Sequence, residues 1–310
     1  MRPVPPPSTS PTAALVGKFR WRELGLVALI LVVAFGIWHR NRDILSDMYD
    51  YSSVIVSAGK VESGLKPYVD FRSTMQSACY VLSRGVEKVF GRNYLALTYG
   101  GLVLILGGGS LLYLLWRRQF SPGLAALLTG AVTLGGLAQH VVIFYNPVGL
   151  LCLAVVVAGM PVICREKGRW NWRWVAVAGA LILGGTNKIN FHGLAMGLAG
   201  LIVLVAAVQG ELSWRRLASW WIGLVVVGLA VPWGLELAWT GASLEQWFYN
   251  VVQLAEERVG FVNLIFAPQT YAGPTYDLHR FIMIKPLHSI GLVIIAGLVV
   301  VAWRRTVSWP

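Results

Sequence analysis

Charged side chains are scarce in this chain of 310 residues. They make up 13% of it, about half of the roughly 25% found in an ordinary soluble domain. The shortage excludes most soluble enzymes, and the long apolar runs exclude a disordered or fibrous chain. Cysteine is also rare: Cys79, Cys152 and Cys164 have no metal or redox spacing and cannot form a disulfide framework. No set of His, Cys, Asp and Glu has zinc spacing, so the sequence predicts no metal site of that kind.

What the chain has instead is a series of apolar runs, with a mean hydropathy of +0.63. About 20 apolar residues in a helix cross the hydrocarbon core of a membrane, and the sequence predicts about eight such helices. Their approximate bounds are 24–38, 94–116, 123–144, 147–163, two helices within 174–209, 217–239 and 286–303. A polar, turn-prone break at 186–190 separates the two helices of the long run. The predicted fold class is an all-α polytopic membrane protein.

The net charge of +12 has a topological explanation. Basic residues gather near the start of the chain, in three of the loops, at 117–118, 165–173 and 215–216, and after the last predicted helix, at 304–305. Loops rich in Lys and Arg face the cytoplasm, so both termini are expected to be cytoplasmic. Nucleic-acid binding thereby loses its main support. The predicted organisation is a disordered, proline-rich cytoplasmic tail at 1–22, one transmembrane domain at 23–305 and a cytoplasmic end at 306–310. The two long loops, 39–92 and 240–285, then lie outside.

The first outer loop holds two amphipathic patterns, around 54–61 and 75–89, each predicting a juxtamembrane helix on the membrane surface. Asp47 and Asp50 lie three residues apart, so on a helix they share a face. Two carboxylates held together raise each other's pKa, and one could then act as a general base. The alternative is a solvated acidic face that balances Arg40 and Arg42.

This loop resembles a known family. Asp50-Tyr51 is followed by the run GLKPYVDF from Gly64 to Phe71, and then by an amphipathic segment that ends in Phe90-Gly91. The order and spacing are similar to the first outer loop of GT-C-fold glycosyltransferases, including the protein mannosyltransferase and aminoarabinose transferase relatives. These polytopic enzymes use polyprenyl-phosphate sugars. The specific likeness covers about 45 residues, within a weaker likeness over roughly 20–300.

Two features depart from the family pattern. Residues 72–75 stand where family members usually carry prolines, and the chain is shorter than most members. It is therefore expected to be a short or truncated member.

The resemblance also implies roles for individual residues. Asp50 corresponds to the catalytic acid, with Asp47 as the nearby alternative, and Asp70 to a second acid that shapes the site. Tyr68 belongs to the same element and is expected to contact substrate. Lys188, in the break at 186–190, is similar to a lysine in an outer turn of the family and is the best candidate for the donor phosphate. Snorkelling to the headgroups is its alternative.

The second outer loop adds further candidates. Arg258 and Arg280 are outer cations that could bind phosphate, and Tyr276 and His279 could line a sugar site, although such residues are also typical of an ordinary loop. Trp247 and Val251 share a helical face, which indicates another surface helix. Glu236, inside the seventh predicted span, is expected to face the protein interior or the outer interface, because a carboxylate facing lipid is costly.

The predicted function is transfer of a sugar from a polyprenyl-phosphate donor to an acceptor hydroxyl on the outer, periplasmic face of a bacterial inner membrane. The partners are the lipid-linked sugar, membrane lipid and an acceptor that the sequence does not specify. No cofactor is required by the residues themselves. Some relatives use a divalent cation, so Mg²⁺ or Mn²⁺ held by Asp47, Asp50 and Asp70 stays an open alternative. The other reading is a non-catalytic polytopic protein: a transporter, a flippase or a structural subunit of a membrane complex.

Overall fold

The structure is a computed structural model that describes residues 21–42, 48–139, 142–143, 145–166 and 171–254, with the backbone alone at 48–52 and 139. Within these ranges the chain is helical and contains no strand, apart from one isolated bridge between Pro67 and Phe71. The α-helices are α1 (Trp21–Asn41), α2 (Met48–Glu62), α3 (Ser77–Phe90), α4 (Tyr94–Trp116), α5 (Pro122–Gly135), α6 (Tyr145–Arg165), α7 (Trp172–Gly185), α8 (Ile189–Val208), α9 (Trp214–Val225), α10 (Val231–Thr240) and α11 (Leu244–Phe248). A 3₁₀ turn at Leu137–Gln139 and π turns at Val226–Ala230 and Tyr249–Gln253 complete the described elements.

Five of the described helices are long and apolar enough to cross a membrane: α1, α4, α6, α8, and the continuous helix Trp214–Thr240 that contains α9 and α10. They are consistent with an integral membrane protein. Helices α5 and α7 are apolar but have 14 residues each, which gives about 21 Å against a core of roughly 30 Å. The helix predicted at 123–144 is therefore shorter than expected. The tail at 1–20, the helix predicted at 286–303 and the end at 306–310 lie outside the described residues.

Ion pairs gather at one end of the bundle. Glu23, at the start of α1, accepts hydrogen bonds of 2.8 and 3.0 Å from Arg117, which follows α4. Arg165, at the end of α6, lies 3.3 Å from Glu211, which follows α8. The side chain of Gln119, which follows α4, donates a hydrogen bond to the Ala158 carbonyl of α6 and so connects the two ion pairs. The loops that the sequence assigns to one side of the membrane therefore do meet at one end of the molecule.

The opposite end collects the other connections. The indole N–H of Trp38, near the end of α1, donates to the Thr98 carbonyl of α4 at 2.9 Å. The N–H of Ala78 in α3 donates to the Thr186 carbonyl, in the turn between α7 and α8, also at 2.9 Å. Helices α2 and α3 therefore lie against this end, together with the ends of α7 and α10.

The last long helix is continuous, but its α-helical hydrogen bonding is interrupted where Pro232 enters it. Proline has no N–H, so Pro232 cannot donate to the carbonyl of Gly228 four residues earlier. The Nε2 atom of His192, in α8, lies 2.6 Å from that carbonyl oxygen and donates to it. The π turn Val226–Ala230 lies at the same place, as such irregular turns often do near a helix interruption. Helix α8 thereby supports the interruption and, with it, the orientation of α10.

Candidate functional site

Helices α2 and α3 lie where the sequence predicts two helices, and in the structure they pack against each other. Glu62, the last residue of α2, forms ion pairs with Arg84 at 3.5 Å and with Arg92, so the two helices are joined at that end. On α2, Val54 and Ala58 are each 1% exposed. Part of the predicted apolar face is thus covered by the protein itself rather than by the membrane surface.

The register of α2 gives the position of Asp50. It lies in the first turn of the helix, four residues before Val54, and residues four apart share a face. Asp50 therefore precedes Val54 and Ala58, which pack on the bundle, by one and two helical turns along α2. Asp47 lies outside the described residues, so the predicted pairing of the two acids stays a prediction.

The turn between α2 and α3 is built on the element from Pro67 to Phe71. Tyr68 has φ +70°, in the left-handed region that residues other than glycine seldom adopt. Its N–H donates to the carbonyl of Phe71 at 2.9 Å. One carboxylate oxygen of Asp70 accepts from the N–H of Lys66 at 2.7 Å. The element therefore closes on itself, and the other oxygen of Asp70 has no protein donor among the described residues.

A fully buried carboxylate from α10 holds this turn. Glu236 is 0% exposed. It accepts from the Tyr68 hydroxyl at 2.7 Å and from the N–H of Ser77 at 2.9 Å, and it also accepts a short hydrogen bond from the Ser77 hydroxyl. The expectation that Glu236 faces the protein interior is confirmed. We call these three residues the Glu236 cluster.

A second set of hydrogen bonds joins the loop between α1 and α4 to the segment that follows α10. The N–H of Ser73 donates to the side-chain oxygen of Asn250 at 3.0 Å, and the Ser73 hydroxyl forms a short hydrogen bond with Tyr80 of α3. The predicted surface face of the second loop also turns inward, because Trp247 and Val251 pack against Tyr68. The segment from 244 to 253 is therefore part of the same folded unit as the first loop.

A cleft of about 450 Å³ lies between these two segments. Its volume is within the range of small-molecule sites, roughly 300–1,000 Å³. The lining residues are Tyr68, Val69, Asp70, Phe71, Arg72, Glu245, Gln246, Tyr249, Asn250 and Gln253. The guanidinium of Arg72 lies 5.8 Å from the centre of the Tyr249 ring. The cleft thus offers a cation, two carboxylates, amides and aromatic rings, a set that suits a polar ligand carrying hydroxyl groups and an anionic group.

Two tyrosines beside this cleft, Tyr68 and Tyr80, have raised pKa values. Burial, and then the nearby carboxylate of Glu236, raise the pKa of Tyr68 well above its usual range. Burial likewise raises the pKa of Tyr80. A phenol is neutral at physiological pH in any case, and the raised pKa values extend the neutral form of both tyrosines to more alkaline pH.

The structure brings some of the predicted site residues together and separates others. Asp70 and Tyr68 border the cleft, but the Tyr68 hydroxyl contacts Glu236 and the Met75 carbonyl, which favours a supporting role over a substrate contact. Lys188 does not line the cleft. Its ammonium donates to Asn146 at 2.5 Å and lies 4.1 Å from the centre of the Tyr145 ring, which neither requires nor excludes an anion. The predicted residues Arg258, Tyr276, His279 and Arg280 lie outside the described residues.

Sequence reasoning missed several residues of the site. Arg72 and Ser73 belong to the segment that departs from the family pattern, and that departure was the only signal pointing to them. Glu245, Tyr249 and Asn250 come from a stretch with no recognisable motif. They line the cleft only because the two loops are in contact.

No group of three or more His, Cys, Asp or Glu side chains comes together among the described residues. Asp47 and the side chain of Asp50 are not described, so the alternative of a divalent cation at the acids of the first loop stays a prediction.

Comparison with known proteins leaves the site to be interpreted from its chemistry. No protein-family model, curated protein or solved structure matches the chain.

Proposed function

We propose that the protein is a GT-C-like membrane glycosyltransferase that uses a polyprenyl-phosphate-linked sugar. One observation carries the proposal: the Pro67–Phe71 element, on which the family likeness rests, forms a compact turn beside a polar cleft. That cleft lies at the end of a bundle of apolar helices. A lipid-linked sugar needs this combination, because its tail stays in the membrane while its head group must reach polar side chains at the surface.

The proposed role of Asp50 follows from the family likeness, and the other roles follow from the charge and position of the cleft residues. Asp50 is the general base that takes the proton from the acceptor hydroxyl. The acceptor oxygen bonds to the anomeric carbon as the bond from that carbon to the phosphate oxygen breaks. Polyprenyl phosphate leaves with the bonding electrons. Arg72 supplies positive charge to the leaving phosphate, since a guanidinium matches phosphate geometry. Asp70 and Tyr249 contact the sugar.

The finer topology belongs to the same proposal. The complete chain has eight spans, both termini are cytoplasmic, and the cleft opens to the periplasmic side of a bacterial inner membrane. The clustering of Glu23, Arg117 and Arg165 at the far end of the bundle supports this arrangement, since basic loops are expected on the cytoplasmic side.

A transporter is the second candidate, and the interruption at Pro232 favours it. Interrupted helices with nearby ionisable residues are typical of transporter binding sites. Glu236 lies one turn after Pro232, but its oxygens accept bonds from the loop and it does not line the cleft. This arrangement favours the glycosyltransferase, because a transport site would leave the carboxylate available to its substrate or coupling ion.

Incubation of the purified protein in nanodiscs with a panel of polyprenyl-phosphate sugars tests the proposal. We expect release of polyprenyl phosphate from one member. The variant Arg72→Gln should raise KM for that donor at least tenfold, and Arg72→Lys should raise it less, because lysine keeps the charge but loses the planar guanidinium. The matched control is Lys88→Gln, which removes an exposed cation from α3 outside the cleft.

Two outcomes would contradict the proposal. One is the absence of turnover with every donor. The other is equal donor KM for wild type, Arg72→Gln and Lys88→Gln. Saturable substrate flux across vesicles without donor turnover would favour the transporter.

A further inference from the structure

Glu236 has no cation partner among the residues that the structure describes. It is fully buried, and no Lys, Arg or His of the described chain lies within ion-pair distance of it. A carboxylate in this position is costly unless hydrogen-bond donors surround it. Within the described ranges the donors to its oxygens come from Tyr68 and Ser77. The carboxylate of α10 and the first outer loop therefore stabilise each other.

The two donor residues bracket one segment. Tyr68 and Ser77 are the first and last residues of segment 68–77, and this segment carries Asp70 and Arg72, which line the cleft. A single carboxylate thus holds both ends of the segment that forms one wall of the cleft. Because a loop tied at both ends has few conformations to choose from, the position of that wall depends on Glu236.

The same hydrogen bonds extend to α2. The Tyr68 hydroxyl oxygen, which donates to Glu236, also lies 2.8 Å from the Met75 carbonyl oxygen, and Tyr80 lies against both Ser73 and Ser57. Ser57 lies seven residues after Asp50 in α2, which is two helical turns or about 10 Å further along the helix. The Glu236 cluster is therefore connected to the helix of the proposed base as well as to the cleft.

We propose that Glu236 is a positioning residue for substrate binding in the cleft. It does not line the cleft; it acts through Tyr68 and Ser77, which fix segment 68–77 against α10. The kinetic part of this inference rests on the proposed glycosyltransferase activity, whereas the structural part does not.

A native cysteine reports on the segment without any assumption about activity. Cys79, in α3, is 1% exposed and lies close to Tyr68. The other two cysteines, Cys152 and Cys164, are buried within α6. Alkylation by a membrane-impermeant maleimide in proteoliposomes should therefore be slow in wild type. The Cys79→Ala variant measures the background.

Loss of the Glu236 contacts should expose Cys79. We expect Glu236→Ala and Tyr68→Phe to label at least tenfold faster than wild type. Glu236→Gln keeps an acceptor oxygen and should label within about threefold of wild type. The matched controls Glu87→Gln, on α3, and Tyr99→Phe, on α4, make the same chemical changes outside the cluster and should label like wild type.

The kinetic readout separates positioning from general loss of structure. With the polyprenyl-phosphate sugar that wild type consumes fastest, Tyr68→Phe and Glu236→Ala should raise donor KM about tenfold and change kcat less than twofold. Glu236→Gln should restore a KM close to that of wild type. If Glu236→Ala does not insert into membranes, Tyr68→Phe carries the test alone, because it removes one hydroxyl oxygen.

Two results would overturn the inference. One is labelling of Cys79 at the wild-type rate in both Tyr68→Phe and Glu236→Ala. The other is a fall in kcat at unchanged donor KM. If wild type consumes no donor at all, the proposed function fails, while the labelling rates still decide whether Glu236 holds the segment.

Discussion

The substitution His192→Leu tests how the interrupted helix is held together. The histidine donates from Nε2 to the carbonyl of Gly228, which Pro232 leaves without its usual helical donor. Leucine fills a similar volume but offers no donor. The other ring nitrogen, Nδ1, has no hydrogen-bond partner in the described part of the chain, so its removal breaks no second bond there.

The expected loss can be worked from this geometry. The hydrogen bond is 2.6 Å long, and both residues are buried, so water cannot replace the lost donor. An unsatisfied buried group costs about 1–3 kcal/mol, whereas side-chain hydrogen bonds measured within membranes average about 0.6 and reach about 1.7 kcal/mol. We therefore expect His192→Leu to lower the free energy of unfolding by about 1–2 kcal/mol. His192→Gln places an amide N–H at a similar reach and should lose less.

Thermal unfolding in one detergent, followed by circular dichroism, measures the effect. The matched control is His39→Leu, which makes the same change at an exposed histidine near the end of α1. Since each kcal/mol corresponds to roughly 2–4 °C in proteins of moderate size, His192→Leu should unfold about 2–8 °C earlier and His39→Leu at the wild-type temperature. Equal Tm values for His192→Leu and wild type would refute the role of His192 at the interruption.

Three further predictions concern packing, alkaline pH and the buried ion pair. A methyl group at Gly159, in α6, would overlap the side chain of Val177, in α7, whereas Gly179 faces open space. Gly159→Ala should therefore lower the free energy of unfolding by about 1–3 kcal/mol, and Gly179→Ala should not lower it. Because the folded state raises the pKa of Tyr68, its contribution to stability is complete below about pH 10, the ordinary tyrosine pKa, and is lost as pH rises toward the folded value. Unfolding followed from pH 9 to 11 should show this loss in wild type and less of it in Tyr68→Phe; equal curves would contradict the assignment. Arg117→Gln removes the guanidinium that pairs with the buried carboxylate of Glu23 and should cost about 3 kcal/mol. Adding Glu23→Gln should restore part of that loss in the same assay.

The sequence predicts the local parts of this fold well. The break between α7 and α8 falls where Asn187 and Lys188 interrupt the apolar run. Helix α4 begins after Asn93, whose side chain caps it, and the turn from Pro67 to Phe71 lies where its residues predict one. Each of these features depends on neighbours along the chain, which a single sequence displays directly.

The site itself depends on contacts that a single sequence does not display. Glu236 binds Ser77 and Tyr68, which lie 159 and 168 residues earlier. The residues next to Glu236 in the sequence do not indicate these partners. Ser73 and Asn250 meet across a similar separation. Ser77, at the start of α3, is buried because it donates hydrogen bonds to the carboxylate of Glu236 in α10. A serine at this place in a sequence is typical of a solvated helix start. Helix α5 ends early at two consecutive glycines, the second of which packs closely against Leu150, and hydropathy alone does not indicate that end.

The most direct test of the central claim is donor turnover by Asp50→Asn. We expect wild type to release polyprenyl phosphate from a lipid-linked sugar. Asp50→Asn, folded and inserted to the same extent, should do so about 10²–10⁴-fold more slowly, because that is the range typical of a lost general base. Turnover by Asp50→Asn at the wild-type rate would contradict it.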